Sequence, residues 1–341
     1  MKAIGYYTPL AIQHPEALLD LDLPHSETLR AHDLLVRVQA ISVNPVDVKV
    51  RAGMAPPPNA PRVLGWDAVG TVQAVGTAAQ GFAVGDRVYY AGSMDRPGSN
   101  AELQAVDARL AAHAPATLTD AQAAAMPLTT ITAWEILFDR LRIPRRTTPG
   151  GAAAGTLLVV GAAGGVGSIL VQLARQLTGL RVIATASRPQ SRQWCLDMGA
   201  HHVIDHHQPF AQQLAKLDIG SIEHVASLTH SADYMAQYVQ CLRPQGQIAL
   251  IDDMPTLDVV PLKLKSLSLH WEMMFTRSLF GTPDMERQGA ILAEVAQLLD
   301  SGAVRSTLIT ELGAINAANL RNAHALVEAG STIGKVVLQG F

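Results

Sequence analysis

Apolar positions in this chain change period along its length. Positions 34–40 alternate after Val36 and predict a strand. The stretch 63–75, broken by glycines, predicts a strand pair or one bent strand, and 85–90 predicts a turn into another strand. Between them, 52–61 carries four prolines and reads as a loop. Helical spacing begins at 120–126, with Thr119 as its cap, and returns at about 130–142. From 156 onward, short apolar runs alternate with helical segments. Strands are expected at 156–160, 181–188, 201–205, 223–227 and 246–252, and helices at 168–174, 190–198 and 233–242. Two amphipathic helices follow, at 284–300 and 317–329. A β-rich first third followed by this alternation predicts an α/β protein with a doubly wound parallel sheet.

The turn after the strand at 156–160 reads GAAGGVG (161–167). A strand, a glycine-rich turn, a helix and a second strand form the βαβ unit that binds dinucleotides. Ala162 takes the first position of the fingerprint, with Gly164 and Gly167 at the second and third; Gly165 and Val166 complete the loop. A bare backbone at Gly164 lets the pyrophosphate approach, and Gly167 lets the helix lie close to the strand. The helix start offers N–H groups to phosphate. The alternative, a glycine turn in some other α/β protein, lacks a reason for the matching second strand. At the end of that strand an NAD site needs a carboxylate about 20 residues on. This chain has Ser187, then Arg188, with Arg192 a helical turn further. A hydroxyl and guanidinium groups hold a 2′-phosphate that a carboxylate would repel. The expected cofactor is NADP(H).

Composition narrows the remaining choices. The 341 residues are 48% hydrophobic and 16% charged, enough for two domains with real cores. A net charge of −3 gives no reason to expect nucleic acid or an anionic membrane as partner. Arg140, Arg142, Arg145 and Arg146 lead into a loop at 145–154; without interleaved aromatics they read as solvated. Residues 150–174 carry no charge and have membrane-spanning length, but seven glycines and a change of period favour strand, turn and helix. The first residues lack the apolar core of a signal peptide, so a cytoplasmic location is expected. The two cysteines, Cys195 and Cys241, cannot build a four-cysteine zinc site. His201, His202, His206 and His207 flank a strand without a completing cysteine or ordered carboxylate set, and read as surface histidines rather than a metal tract.

The segments NPVDVK (44–49), GWDAVG (65–70), GFAVGDRV (81–88), AMPLTTITAW (125–134), AAGGVGS (162–168) and GKVVL (334–338) occur in an order and spacing that resembles the medium-chain dehydrogenase/reductase superfamily. The likeness is greatest to its quinone oxidoreductase branch, which includes zinc-type alcohol dehydrogenase-like proteins. The resemblance implies a GroES-like catalytic domain, 1–127 with 281–341, interrupted by a Rossmann NADP(H)-binding domain, 128–280. Zinc-dependent relatives place a cysteine near 44–47, a histidine and an acid after the glycine matching Gly65, and four structural-zinc cysteines near 92–112. Here stand Asn44-Pro45 and Trp66-Asp67, and 92–112 has no cysteine. A metal-free protein is expected.

The same resemblance implies site residues. Asn44 and Asp47 would line the site beside the nicotinamide, although Asn before Pro also makes an ordinary turn. The tyrosine that many branch members carry five residues after the Asn is replaced by Lys49. Trp66 is expected as an aromatic wall for a planar substrate or as core packing. Thr130 and Thr132 match positions touching the nicotinamide or phosphate, with helix capping as the alternative. His206 matches a position beside the adenosine. Ser227 and Thr229 fall at the carboxyl edge of the sheet, where ligands bind. Without zinc to stabilise an alkoxide, reduction of a small planar quinone is the expected activity. A 2-enone or 2-alkenal reductase and a non-catalytic NADPH-binding regulator are the alternatives. The branch is usually homo-oligomeric, and 266–271 reads as an edge strand through which a homodimer or homotetramer could form.

Overall fold

The computed structural model describes residues 1–24, 28–146 and 155–341. The part of the predicted loop at 147–154 lies outside the described residues. The chain divides into two compact units, Met1–Ile131 with Phe275–Phe341, and Thr132–Met274. The breaks fall at 131/132 and 274/275, against 127/128 and 280/281 expected from the sequence.

The first unit is organised by one long strand, Asp33–Val43. It pairs antiparallel with Ala68–Val75 and Leu103–Asp107, and with the chain's last strand, Lys335–Gln339. The sheet continues to Arg87–Tyr90 and Ala111–His113 on one side and Leu308–Glu311 on the other. Two register shifts against Ala68–Val75 bend the long strand. Its registers matter for the site. Val43 lies opposite Val336, and Ile41 opposite Ala68. Asn44, Lys335 and Asp67 are thereby brought to one end of the sheet.

One helix here was not expected. The turn offered as the alternative for Asn44-Pro45 is a helix start instead: Asn44 is the extended N-cap (φ −123°, ψ 160°) of the helix Pro45–Gly53. Proline fits the first helical position, where its missing N–H would have had no partner. The first two residues of the predicted 52–61 loop are the end of this helix. The cap at Thr119 forms as expected, its side chain accepting from the Gln122 N–H before the helix Asp120–Ala124.

The second unit contains a six-stranded, all-parallel sheet. Its strands are Thr156–Val160, Arg181–Thr185, His202–Ile204, Ile222–Ser227, Leu242–Leu250 and Ser268–Trp271. Counted along the chain, their spatial order is 3-2-1-4-5-6, the doubly wound Rossmann order. All five residues of the first strand are buried, which explains its unbroken apolar pattern. Leu158, Ile183, Val225 and Ile248 pack with Phe210, Leu214 and Tyr238 from covering helices. Each such side chain contributes roughly 1.5–3 kcal/mol by leaving water. The strand at 266–271 is formed over Ser268–Trp271 and lies at the sheet edge. No helix among the described residues is long and apolar enough to cross a membrane.

Candidate active site

The residues singled out by the sequence fall into two groups, one in each unit. In the second unit, the strand Thr156–Val160 ends at Gly161, whose φ of +80° makes the turn. The sequence reading gave Ala162 the first fingerprint position, but the left-handed residue is Gly161; Ala162 is buried beneath the helix. Gly164 is the N-cap of the helix Gly165–Leu177, and no side chain caps this end. Its first N–H groups are therefore directed to whatever occupies the turn. A Cβ on Gly167 would stand 2.5 Å from the Ala162 Cα, so only glycine permits this close packing. A Cβ on Gly164 would meet nothing nearer than the Gly161 carbonyl oxygen at 3.5 Å, so the space beside it is open. Gly164, Gly165 and Val166 are half-buried, as a surface cradle requires. An open backbone concavity at a helix start fits a dinucleotide pyrophosphate.

Around the cradle, Thr229 lies over Gly161, its Cγ2 3.1 Å from where a Cβ there would be. Ser187 is half-buried, and the exposed Arg188 is the N-cap of the helix Pro189–Asp197. Arg192 sits differently from expectation. Its two terminal nitrogens donate to the carbonyls of Ala186 (3.0 Å) and Val203 (2.9 Å), bracing the ends of two neighbouring strands. Ser227 is also turned inward. Its hydroxyl is 2.7 Å from both the Ser231 and the Tyr238 hydroxyls, and the Ser231 N–H donates to Asp252 at 2.8 Å. That buried chain uses the Ser227 hydroxyl internally. His206 is half-buried beside His207, with ring centroids 4.4 Å apart. A polar atom from each of Asp205, His206 and His207 lies within 4.8 Å of the others, which places a carboxylate with this pair where the sequence showed none. Thr132, buried, also belongs to this unit.

In the first unit, Asn44, Asp67 and Lys335 form a buried cluster. The Lys335 ammonium donates to the Val43 carbonyl (3.1 Å), Asn44 Oδ1 (2.5 Å) and Asp67 Oδ2 (3.1 Å). Asn44 Nδ2 donates to Asp67 Oδ2 at 2.7 Å and to the Ser42 carbonyl at 3.4 Å. The Leu128 N–H donates to Asp67 Oδ1 at 2.7 Å. Burial pushes the Asp67 carboxyl up, while Lys335 and the donors from Leu128 and Asn44 pull it back toward the ionised form. Asp47 Oδ2 accepts the Asn44 N–H at 2.8 Å, and burial pushes its pKa up to about 7 against that hydrogen bond and the Lys335 charge. Asn44 was expected to hold substrate or nicotinamide. Both polar atoms of its carboxamide are instead engaged within the cluster.

Trp66 is packed in the interior, its indole N–H on the Ser93 carbonyl at 3.2 Å and its ring edge-on to Phe275 at 6.0 Å. This is the core-packing alternative rather than an exposed wall. Thr130 is fully buried, and its hydroxyl has no hydrogen-bond partner among the described residues. Lys335 was missed by the sequence reading. Its signal was a lone charge opening the apolar run KVVL (335–338), which is buried throughout. This donor set does not fit a catalytic zinc. Such a site needs about three anionic or imidazole ligands, whereas here a lysine ammonium occupies the acceptors and no cysteine or histidine among the described residues joins them.

Residues 30–116 match the alcohol dehydrogenase GroES-like domain, and 198–338 match the zinc-binding dehydrogenase family. A zinc-type alcohol dehydrogenase-like protein of Staphylococcus aureus (strain MSSA476) is 37% identical over 99% of both chains. The chain belongs to the medium-chain dehydrogenase/reductase superfamily. Among solved structures, a Rhizobium etli CFN 42 protein, assigned by name to the zinc-dependent alcohol dehydrogenases, is 51% identical with a TM-score of 0.95, covering 100% of this chain and 98% of that one. The Escherichia coli quinone oxidoreductase complexed with NADPH is 25% identical with a TM-score of 0.81, covering 99% of this chain and all of that one. As a member of this superfamily of oxidoreductases, the chain carries the GroES-like and Rossmann units that the motifs implied.

Proposed function

We propose that this superfamily member is an NADPH-dependent quinone oxidoreductase that works without zinc. The observation that carries the reading is the Asn44–Asp67–Lys335 cluster. It places an internal cation among the acceptors at positions where zinc-dependent relatives hold metal ligands. Likeness to the Escherichia coli quinone oxidoreductase supports the substrate class. The absence of a carboxylate at Ser187-Arg188 supports NADPH over NADH.

When bound, the reduced nicotinamide supplies hydride to a quinone carbonyl. The protein's own residues do the remaining work. The helix start at Gly164–Gly165 and the cradle closed by Thr229 hold the pyrophosphate. Ser187 and Arg188 receive the 2′-phosphate. Thr130, whose buried hydroxyl has no partner among the described residues, would be a further cofactor contact. Asn44, Asp67 and Lys335 keep the end of the first unit's sheet rigid. Water delivers the closing proton. The same reading includes assembly of two or more copies through the Ser268–Trp271 edge, where Trp271 is 51% exposed.

The test is NADPH consumption with a small ortho-quinone in buffer containing a chelator, with NADH in parallel. Turnover favouring NADPH is expected and is unaffected by the chelator. A stoichiometric zinc requirement, or NADH preferred, overturns it. Sedimentation showing only monomer at micromolar concentration removes the assembly.

A further inference from the structure

A cluster of ionisable groups lies beside the cradle, and Arg188 alone among them has a role in the proposed activity. The second and third strands lie side by side there, and the loop after the fourth strand reaches over the end of the first through Thr229. Arg188 follows the second strand, Asp205, His206 and His207 follow the third, and His230 follows the fourth. His230 has φ +52° and caps the helix Ser231–Cys241, its Nδ1 2.7 Å from the Thr229 hydroxyl. Thr229 in turn lies against Gly161, which ties His230 to the cradle. Asp205 Oδ1 accepts the His207 N–H at 2.9 Å.

His206 feels a charge from each of these segments. The charges facing it are His207, His230 and Arg188, all cationic when charged, and the Asp205 carboxylate. Burial is the largest influence on it and lowers its pKa; the three cationic neighbours lower it further, and Asp205 opposes them. Without ligand the imidazole is therefore neutral near pH 7. The Arg188 guanidinium and the N–H donors of the imidazoles suit an anion, with the Asp205 carboxylate the one opposing charge.

The geometry points to a proton-linked phosphate site: His206, with His230 and Arg188, receives the 2′-phosphate of NADPH and takes up a proton from solvent as it does so. The inference rests on the NADPH reading and adds a residue, His230, and a pH dependence to it. A phosphate dianion beside His206 favours the imidazolium, so the pKa of His206 rises on binding. The sign follows. Binding is tighter below the bound-state pKa, and the gain is lost as pH rises through it. A single proton contributes up to about tenfold in affinity per pH unit between the free and bound values. The second ionisation of a phosphate monoester, near about pH 6, works the other way, strengthening binding as pH rises.

Fluorescence titration from about pH 6 to about pH 8 tests this, the window in which histidine charges change. NADPH and NADH are titrated into the wild type, His206→Gln and His230→Asn. The wild type should lose about tenfold in NADPH affinity across the window, while NADH affinity changes little. His206→Gln should bind NADPH several-fold more weakly at the low end and show no fall with pH; His230→Asn should show a shallower fall. Calorimetry in two buffers of different ionisation enthalpy should show net proton uptake with NADPH and none with NADH. A flat wild-type profile, or a full slope in His206→Gln, overturns the inference. If NADPH is preferred at every pH without a slope, only the inference fails. If NADH binds as well as NADPH throughout, the cofactor reading fails with it.

Discussion

The nucleotide cradle and the buried polar cluster are built in opposite ways. The cradle comes from consecutive residues, with Gly161, Gly164 and Gly167 within seven positions of one another. Its useful groups are backbone N–H donors left open at a helix start. The cluster joins residues 23 and 268 positions apart in the chain, and its charges are met by one another, by Asn44, by the Val43 carbonyl and by the Leu128 N–H. Open donors suit a ligand that arrives and leaves. A closed network of charges suits a wall that must not move, because a buried charge without its partner is costly. The difference separates what binds from what holds the binding surface in shape.

Removing one partner of the closed network should have the largest effect. Lys335→Met leaves Asp67 and Asn44 facing a buried gap, and a loss of about 3–5 kcal/mol is expected in denaturant unfolding. Adding Asp67→Asn should recover part of it. A single variant as stable as the wild type would mean that the cluster does not brace the fold. In the cradle, Gly167→Ala forces a Cβ to 2.5 Å from the Ala162 Cα and should cost about 1–3 kcal/mol of stability. Gly164→Ala sharpens the comparison. Its Cβ fits with a 3.5 Å contact, so melting should be unchanged while NADPH binding weakens. If both glycine variants lose stability alike, the cradle is a folding element first.

A charge placed at the second strand end gives a smaller, selective effect. Ser187→Glu should weaken NADPH by about tenfold, roughly 1.4 kcal/mol, through like-charge repulsion, and leave NADH affinity equal or improved. Equal losses for both cofactors would remove Ser187 from the 2′-phosphate site. A separate expected effect is a slope in pH. Asp47 is raised to about 7 in the folded chain, above its unfolded value, so the folded state holds the extra proton between the two. Stability is then highest below the unfolded value and declines as pH rises to about 7. Asp47→Asn should flatten that decline in melting curves; an unchanged slope would assign it to another group.

Legibility in the sequence followed the distance between interacting residues. The parallel sheet, the glycine turn and the cap at Thr119 are local, and their patterns were readable. The reading slipped where one local pattern has two tertiary outcomes. Asn44-Pro45 serves a turn or a helix start, and packing made it the latter. Arg192 and Ser227 stand at the expected strand ends, but their side chains turn to the Ala186 and Val203 carbonyls and to Tyr238. Residue type and strand position do not state which way a side chain points.

By itself, the sequence determined the α/β class, the βαβ unit, the lack of a carboxylate after the second strand and the lack of cysteines at the family's zinc positions. The first two follow from periods of two and 3.6 residues, which short-range geometry imposes, and the last two from residue identity at positions that the βαβ motif and the family resemblance point to. Only the tertiary structure decided that Lys335 is the cation beside Asn44 and Asp67, that Asp47 is buried enough to hold a proton near neutrality, and that His206 feels the charges of Arg188 and His230. Those meetings depend on the register of Lys335–Gln339 against Asp33–Val43 and on which strand ends lie side by side. A register moved by one residue would turn each side chain to the opposite face.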